Sequence, residues 1–485
     1  MKNIKYSLCI IITLIGTSCG KDFINRPPLS AASVDALYKT DKDFLDATIG
    51  VYQGLRVQYQ NMWQFGDIRG DDGFIQVTNQ PSTTAVDLFS INSADALLNS
   101  TWSNYYVLIS RANILLAKIA EADPTIVKNK DLYIGEAKFL RALAYFDLVR
   151  IFGDVPLITK VLTLDEIQKT GRTPVATVYN EVIIKDLIDA ASKLPVSFTG
   201  SAIGRATKGA AKAILGKVYM TTKDFPKAEI ELKDLTAAPY KYNLLANYND
   251  LFDFSKDEHH SEYVFDIEHE ENLGGQGSVF TNFFMPNVAA LLNYYGIKGG
   301  FNESLSTTTG FRSLWVATDK RKNVTFTCCG EWTNPTTGAV VKFNSTTSQS
   351  FTSKYLTSVP AGGDSKANWK VTRYADVLLM LAEALNENGK TDLALAEINK
   401  VRLRAGMAVY AGLSKEQMRE KVALERRLEL AFEGHRWFDL VRTGKALEAC
   451  APVGMKHYMS IFPVPLSQVN VMNDATLFPQ NPGYN

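Results

Sequence analysis

The sequence predicts a mainly α protein, a helical body made of paired helices joined to a loop-rich half with short strands. Three observations predict it. Apolar side chains recur at spacings of three and four over long stretches on both sides of the chain, the period of a helix burying one face. Two distant stretches repeat one pattern of small and large residues. Between them, residues 240–370 lack long helical periods and are rich in Asn, Thr, Ser, Gly and aromatics.

Lys2 and Lys5 precede a short apolar run, Leu8 to Ile15, and then the small residues Gly16, Thr17 and Ser18. The run is well short of the roughly 20 apolar residues that cross a bilayer, so residues 1–18 read as a secretory signal. Cys19 follows directly, as in a bacterial lipobox, although Gly16 stands where leucine is usual. An acylated Cys19 would anchor the protein to a bilayer at its surface. Residues 19–34, with Pro27 and Pro28, read as a tether, because consecutive prolines disfavour helix. The remainder, 35–485, is expected to be one domain: a helical half over 35–239, a loop-rich ligand-binding region over 240–370 and a helical segment over 371–485.

From about Asp41 the helical period begins. Trp102, Tyr105, Tyr106, Ile109, Ala112, Asn113 and Leu116 share one face, as do Ala137, Leu140, Ala144, Leu148 and Ile151, closed by Gly153 and Pro156. Val178, Val182, Leu187 and Ala190 make a third helix. In Leu215-Gly216-x-x-Tyr219, with Ala228 and Leu232, small residues let two antiparallel helices approach while large ones fill the gap beside them. Leu381-Ala382-x-x-Leu385, with Ala394 and Ile398, repeats it at the same offset. Both stretches are similar to tetratricopeptide repeats. Tyr263 to Glu268 alternates as a strand, with Asp266 and Glu268 on the presumed solvent face.

Composition excludes several functions. Without residues 1–18, which carry Lys2 and Lys5 and no acid, the 52 basic side chains become 50 against 51 acidic ones. That balance argues against nucleic acid, which calls for a basic surface. His259, His260 and His269 stand near Glu262, Asp266, Glu268, Glu270 and Glu271 without the spacing of a metal motif. No nucleophile elbow or phosphate loop is present. We therefore expect no metal, no cofactor and no catalysis.

Toward the C-terminus the chain reads Trp369-Lys-Val-Thr-Arg-Tyr-Ala-Asp, then Glu425-Arg-Arg-Leu-Glu-Leu-Ala-Phe-Glu-Gly-His-Arg-Trp-Phe-Asp-Leu440, then Phe462-Pro-Val-Pro and Gln480-Asn-Pro-Gly-Tyr484. This series resembles the SusD/RagB family of outer-membrane nutrient-binding lipoproteins. The Trp102 to Asn113 helix, the Glu136 to Gly153 helix ending in Phe-Gly-Asp-Val-Pro, and Arg172-Thr173-Pro174 extend the resemblance over nearly the whole chain. Within 425–440, Glu425, Glu429 and Glu433 interleave with Arg426, Arg427 and Arg436, which predicts ion pairs at helical spacing. Leu424, Leu428 and Phe432 form the core stripe.

The resemblance implies a glycan-binding lid, facing the cell exterior, on a SusC-like TonB-dependent outer-membrane barrel, holding an oligosaccharide or polysaccharide for import. Capture of peptide, and a helical scaffold without small ligand, are the alternatives. Sugars need an aromatic platform and polar edges, so the candidate ligand residues are Trp63, Asp67, Arg69, Asp71 and Asp72 in one loop, with Tyr294, Tyr295 and Trp315 from the loop-rich region. Trp332 is a further platform there. The adjacent Cys328 and Cys329 are expected to close a compact ring in an oxidising compartment, presented to the sugar. Trp102 and Trp437 are expected to be structural.

Overall fold

A computed structural model of the chain describes residues 37–484 apart from 76–79, 257, 300–304, 328, 334–337, 339 and 345–349. The signal, the tether and Cys19 lie outside the described residues. So does Cys328, and the side chains of Cys329 and Trp332 are likewise outside.

The N-terminal half is built from helices at the predicted places. Helix α1 (Asp41–Tyr59) opens on a capping box in which Thr40 and Asp43 satisfy each other's backbone amides, closing donors that a helix start leaves open. It packs on α2 (Ala96–Glu121) and α3 (Lys130–Phe152). Trp102, Tyr105, Ile109, Ala112, Ala137, Leu140, Ala144 and Leu148 are all buried, as their period requires. Helix α3 is buried nearly all round and ends at Gly153, whose φ is +73°.

The two repeated patterns form helical hairpins. In the first, α4 (Lys208–Thr221) packs on α5 (Phe225–Asp234). A Cβ at Gly216 would sit 2.6 Å from Leu232, which is why a small residue and a large one occur at that offset. In the second, α6 (Tyr374–Glu387) packs on α7 (Thr391–Arg404), with Ala382, Ala394 and Ile398 buried. Helices α8 (Lys415–Glu429) and α9 (Arg436–Arg442) complete the C-terminal segment.

The strands described are short antiparallel pairs. β1 (Gly73–Phe74) pairs with β3 (Ser306–Thr307), β2 (Tyr263–Ile267) with β6 (Trp369–Arg373), and β4 (Cys329–Thr333) with β5 (Val340–Asn344). β2 corrects the sequence reading. Asp266 is buried, not solvated, because β6 brings Lys370 to within 3.0 Å of its Oδ2. Glu268, at the strand's edge, is half-buried.

One core runs through the helical body. A second, small core of Met285, Leu291, Ile297, Phe351 and Val359 lies under the loops, with Val288, Leu292, Tyr294, Tyr295 and Leu356 against it. Among the described residues no helix is long and apolar enough to cross a membrane.

Candidate functional site

The loop containing five of the predicted ligand residues is folded into the body. Residues Gln64–Ile68 form a π-helical turn in which Gly66 meets Gly434 backbone to backbone; a Cβ at Gly66 would lie 2.4 Å from the Gly434 carbonyl oxygen. Gly434, at φ +78°, donates its N–H to both carboxylate oxygens of Asp67 at 3.0 Å. Trp63 is 1% exposed, packed against a tilted Phe283 and edge-on to Phe284, with its indole N–H on the Gln60 carbonyl. The Arg69 guanidinium lies over Phe89 and Phe462 and donates to the Val86 and Met459 carbonyls. Burial lowers its pKa to about 10.

These placements correct the sequence reading. Trp63, Asp67 and Arg69 present nothing to solvent, because the aromatic and charged groups of this loop close the seam between the two ends of the chain. Asp72 is buried on Arg427 at 2.6 Å, and burial raises its carboxyl. Asp71 is partly exposed but occupied. Burial would raise it too, yet Arg436 (2.6 Å) and Arg427 (2.8 Å) outweigh that and hold it low. Trp315 is 7% exposed against Phe311 and Phe326, and it belongs to the core rather than to a platform.

The ion pairs of the 425–440 run also differ from expectation. Glu425 and Glu429 do not pair along their helix α8, and Glu433 lies in the turn beyond its end. Arg373 from β6 donates to Glu433 (2.7 Å), Glu262 (2.8 Å) and Glu429 (2.5 Å). Arg321 reaches Asp319, Glu425 and Glu429 at 2.7 to 3.0 Å. Arg404 pairs with Glu262 and Glu429, Arg402 with Glu425, and Lys354 with Glu433 at 2.6 Å. All of these side chains are buried. Burial alone would raise the Glu433 carboxyl; Arg373 and Lys354 outweigh it and bring the value to about 2. The cations that carry this lattice escaped the sequence reading because they lie far along the chain from their partners. The lattice ties the loop-borne Arg321 and Lys354 to the C-terminal helices.

Besides Asp71, the described candidates left at the surface are those of the aromatic turn in the loop-rich region. The short helix Ala289–Tyr295 ends at Gly296, whose φ of +68° closes the last turn, the arrangement that terminates many helices. This leaves Tyr294 and Tyr295 half-exposed, ring centroids 4.8 Å apart and nearly perpendicular. Burial pushes Tyr295 up to about 12, so its hydroxyl stays a donor at neutral pH. Val359 N–H donates to the Gly296 carbonyl (3.1 Å) and Lys298 N–H to the Val359 carbonyl (2.9 Å). The β4–β5 hairpin, which starts at Cys329, packs beside the helix through β5. Of the described sequence-predicted residues, Tyr294 and Tyr295 come together; Trp63, Asp67, Arg69, Asp71, Asp72 and Trp315 do not join them.

A separate groove of 680 Å³ lies between α6, α8 and α9, with Asp71 at its edge. Its charged side chains are largely paired, as in Arg419 with Glu387 and Arg442 with Glu383. Among the described residues no three His, Cys, Asp or Glu side chains are grouped to hold a metal ion.

The family model described as the SusD family matches residues 249–484, and one described as "Starch-binding associating with outer membrane" matches residues 38–220. The chain belongs to the SusD/RagB family. SusD-like protein P2 of Formosa agariphila is 27% identical over 99% of this chain and all of its own length. A SusD-like protein of Bacteroides ovatus is 28% identical over 90% of this chain and 82% of its own. Among solved structures, a laminarin-binding SusD-like protein is 29% identical with a TM-score of 0.79, covering 92% of this chain and all of that one. A SusD superfamily protein from Parabacteroides distasonis is 26% identical with a TM-score of 0.76, covering 91% and 99%. The mainly helical architecture of this chain matches that of these solved structures.

Proposed function

We propose that the protein captures a neutral glucan of the laminarin type at the cell surface and holds it for a SusC-like TonB-dependent barrel. The observation that carries this reading is the exposed Tyr294–Tyr295 pair, on a chain 29% identical to a laminarin-binding relative of the same fold. Two rings set nearly at right angles offer one flat face for the C–H side of a sugar and an edge with a hydroxyl for its rim. Cys19 carries the acyl anchor, and the family model's association with the outer membrane supports that location. The helical hairpins face the barrel, since such repeats commonly serve protein contacts. Acylation holds lid and barrel together at high effective concentration. The protein acts by binding, without chemistry on its cargo.

Isothermal titration of the mature protein against laminarin, a starch and a peptide mixture tests this. Binding to laminarin, weaker binding to starch and none to peptide is expected. Binding to peptide alone, or to nothing, overturns it.

A further inference from the structure

A second cavity, of 470 Å³, opens on the same loop-rich region. One wall comes from the turn Tyr248–Phe252 and its continuation, with Asn249, Asp250 and Asp253; the opposite wall comes from Leu356, Thr357 and Ser358. The floor is Phe252. Lys354 lies 5.1 Å from its ring centre and is itself fixed to Glu433, so the floor rests on the charged lattice.

Two features mark this cavity as more than a gap. Among the described residues, the side chains of Asn249, Thr357 and Ser358 make no hydrogen bond, although all three line it. An amide and two hydroxyls left open around an apolar floor match the alternating polar edge and C–H face of a sugar. The cavity also adjoins the tyrosine pair: Leu356 both lines it and packs in the small core with Tyr294 and Tyr295, and Ser358 lies against Gly296 at the end of the tyrosine helix.

We propose that this cavity is a further subsite for the same glycan, so that a chain stacked on Tyr294 and Tyr295 continues over the 356–358 ridge and places another sugar against Asn249, Thr357 and Ser358. The inference rests on the glycan-binding reading above. The subsite takes an uncharged sugar, because the charges in its lining are already paired: Asp250 and Asp253 with Lys256 at 2.6 and 3.5 Å, and Lys366 with Glu271 at 3.7 Å.

The test titrates laminarin and laminaritriose into three proteins: the mature wild type, the triple variant Asn249→Ala/Thr357→Val/Ser358→Ala, and Tyr294→Ala/Tyr295→Ala, each checked for unchanged circular dichroism. The triple variant should lose about five- to tenfold in affinity for laminarin while its affinity for the trisaccharide stays within about twofold. The tyrosine variant should lose affinity for both. Wild-type laminarin affinity in the triple variant, with the tyrosine variant weakened, overturns the subsite and leaves the glycan reading standing. Equal losses on both ligands in the triple variant also overturn it, because the cavity would then be the primary site. No binding by the wild type overturns both readings together.

Discussion

Two regions of this molecule place polar and aromatic side chains to opposite ends. Around Glu425, Glu429 and Glu433, the richest charge in the chain is sealed from water and every carboxylate is met by a guanidinium or ammonium from a distant segment. At Tyr294 and Tyr295, a surface with little formal charge sits on a core of five buried apolar residues and keeps its rings half-open. The densest chemistry is therefore scaffold, and the sparse surface is the one we propose for cargo. Desolvating so many ions is costly unless geometry repays it. What the lattice secures is the fixed seat of Arg321 and Lys354, which the loops need because their own core is small.

The sharpest way to break this contrast is Glu429→Ala. It strips Arg321, Arg373 and Arg404 of a shared buried partner, so it should destabilise folding by about 3–5 kcal/mol, read by urea unfolding. A cost below about 1 kcal/mol would mean that the lattice is ornamental. Next, Leu291→Ala should cost about 2–4 kcal/mol by opening a cavity, felt locally. Hydrogen exchange should quicken over 285–299 and 351–359 while α3 and α6 keep their protection; uniform quickening would show that the small core is not a separate unit.

Tyr294→Ala with Tyr295→Ala should lower laminarin affinity about tenfold or more, from about 0.5–1.5 kcal/mol per ring contact. Its unfolding midpoint should stay near that of the wild type, since half-exposed residues contribute little.

The smallest effect concerns pH, where Glu258, beside the β2–β6 pair, and Glu433, in the lattice, respond with opposite sign. Burial raises Glu258 to about 7, reinforced by Asp266 and Glu268 and opposed by Lys370 and His259. Its folded value lies above that of the unfolded chain, so its contribution to stability is complete below about pH 4.5 and is lost as pH rises through about 7. Glu433 is depressed to about 2, so its contribution is present above about pH 4.5 and is lost as pH falls toward 2. Glu258→Gln should flatten the decline in stability between about pH 4.5 and 7 without altering the loss at still lower pH; an unchanged decline over that window would refute the assignment.

Much of the fold was legible in the sequence, and the reason is local. Helical period, the Gly216–Leu232 match and the Gly153 stop depend on residues close in the chain, whose spacing states their geometry. The site was only partly legible. Tyr294 and Tyr295 stand out in the sequence as adjacent aromatics of a loop-rich stretch, and the structure leaves them half-exposed. Trp63, Asp67, Arg69 and Asp72 combine an aromatic, charges and glycines as a sugar loop would, and nothing local reveals that Phe283 and Phe284 cover Trp63 or that Gly434 and Arg427 arrive from more than 350 positions away to meet Asp67 and Asp72. Asn249, Thr357 and Ser358 carry no pattern at all; only the fold brings them to one cavity.

The most direct test is where a bound glycan shields the backbone. Hydrogen exchange of the mature protein with and without saturating laminarin should show protection over 288–299 and 353–359 and none over 419–449. Protection concentrated in 419–449, along the charged groove, would contradict the account.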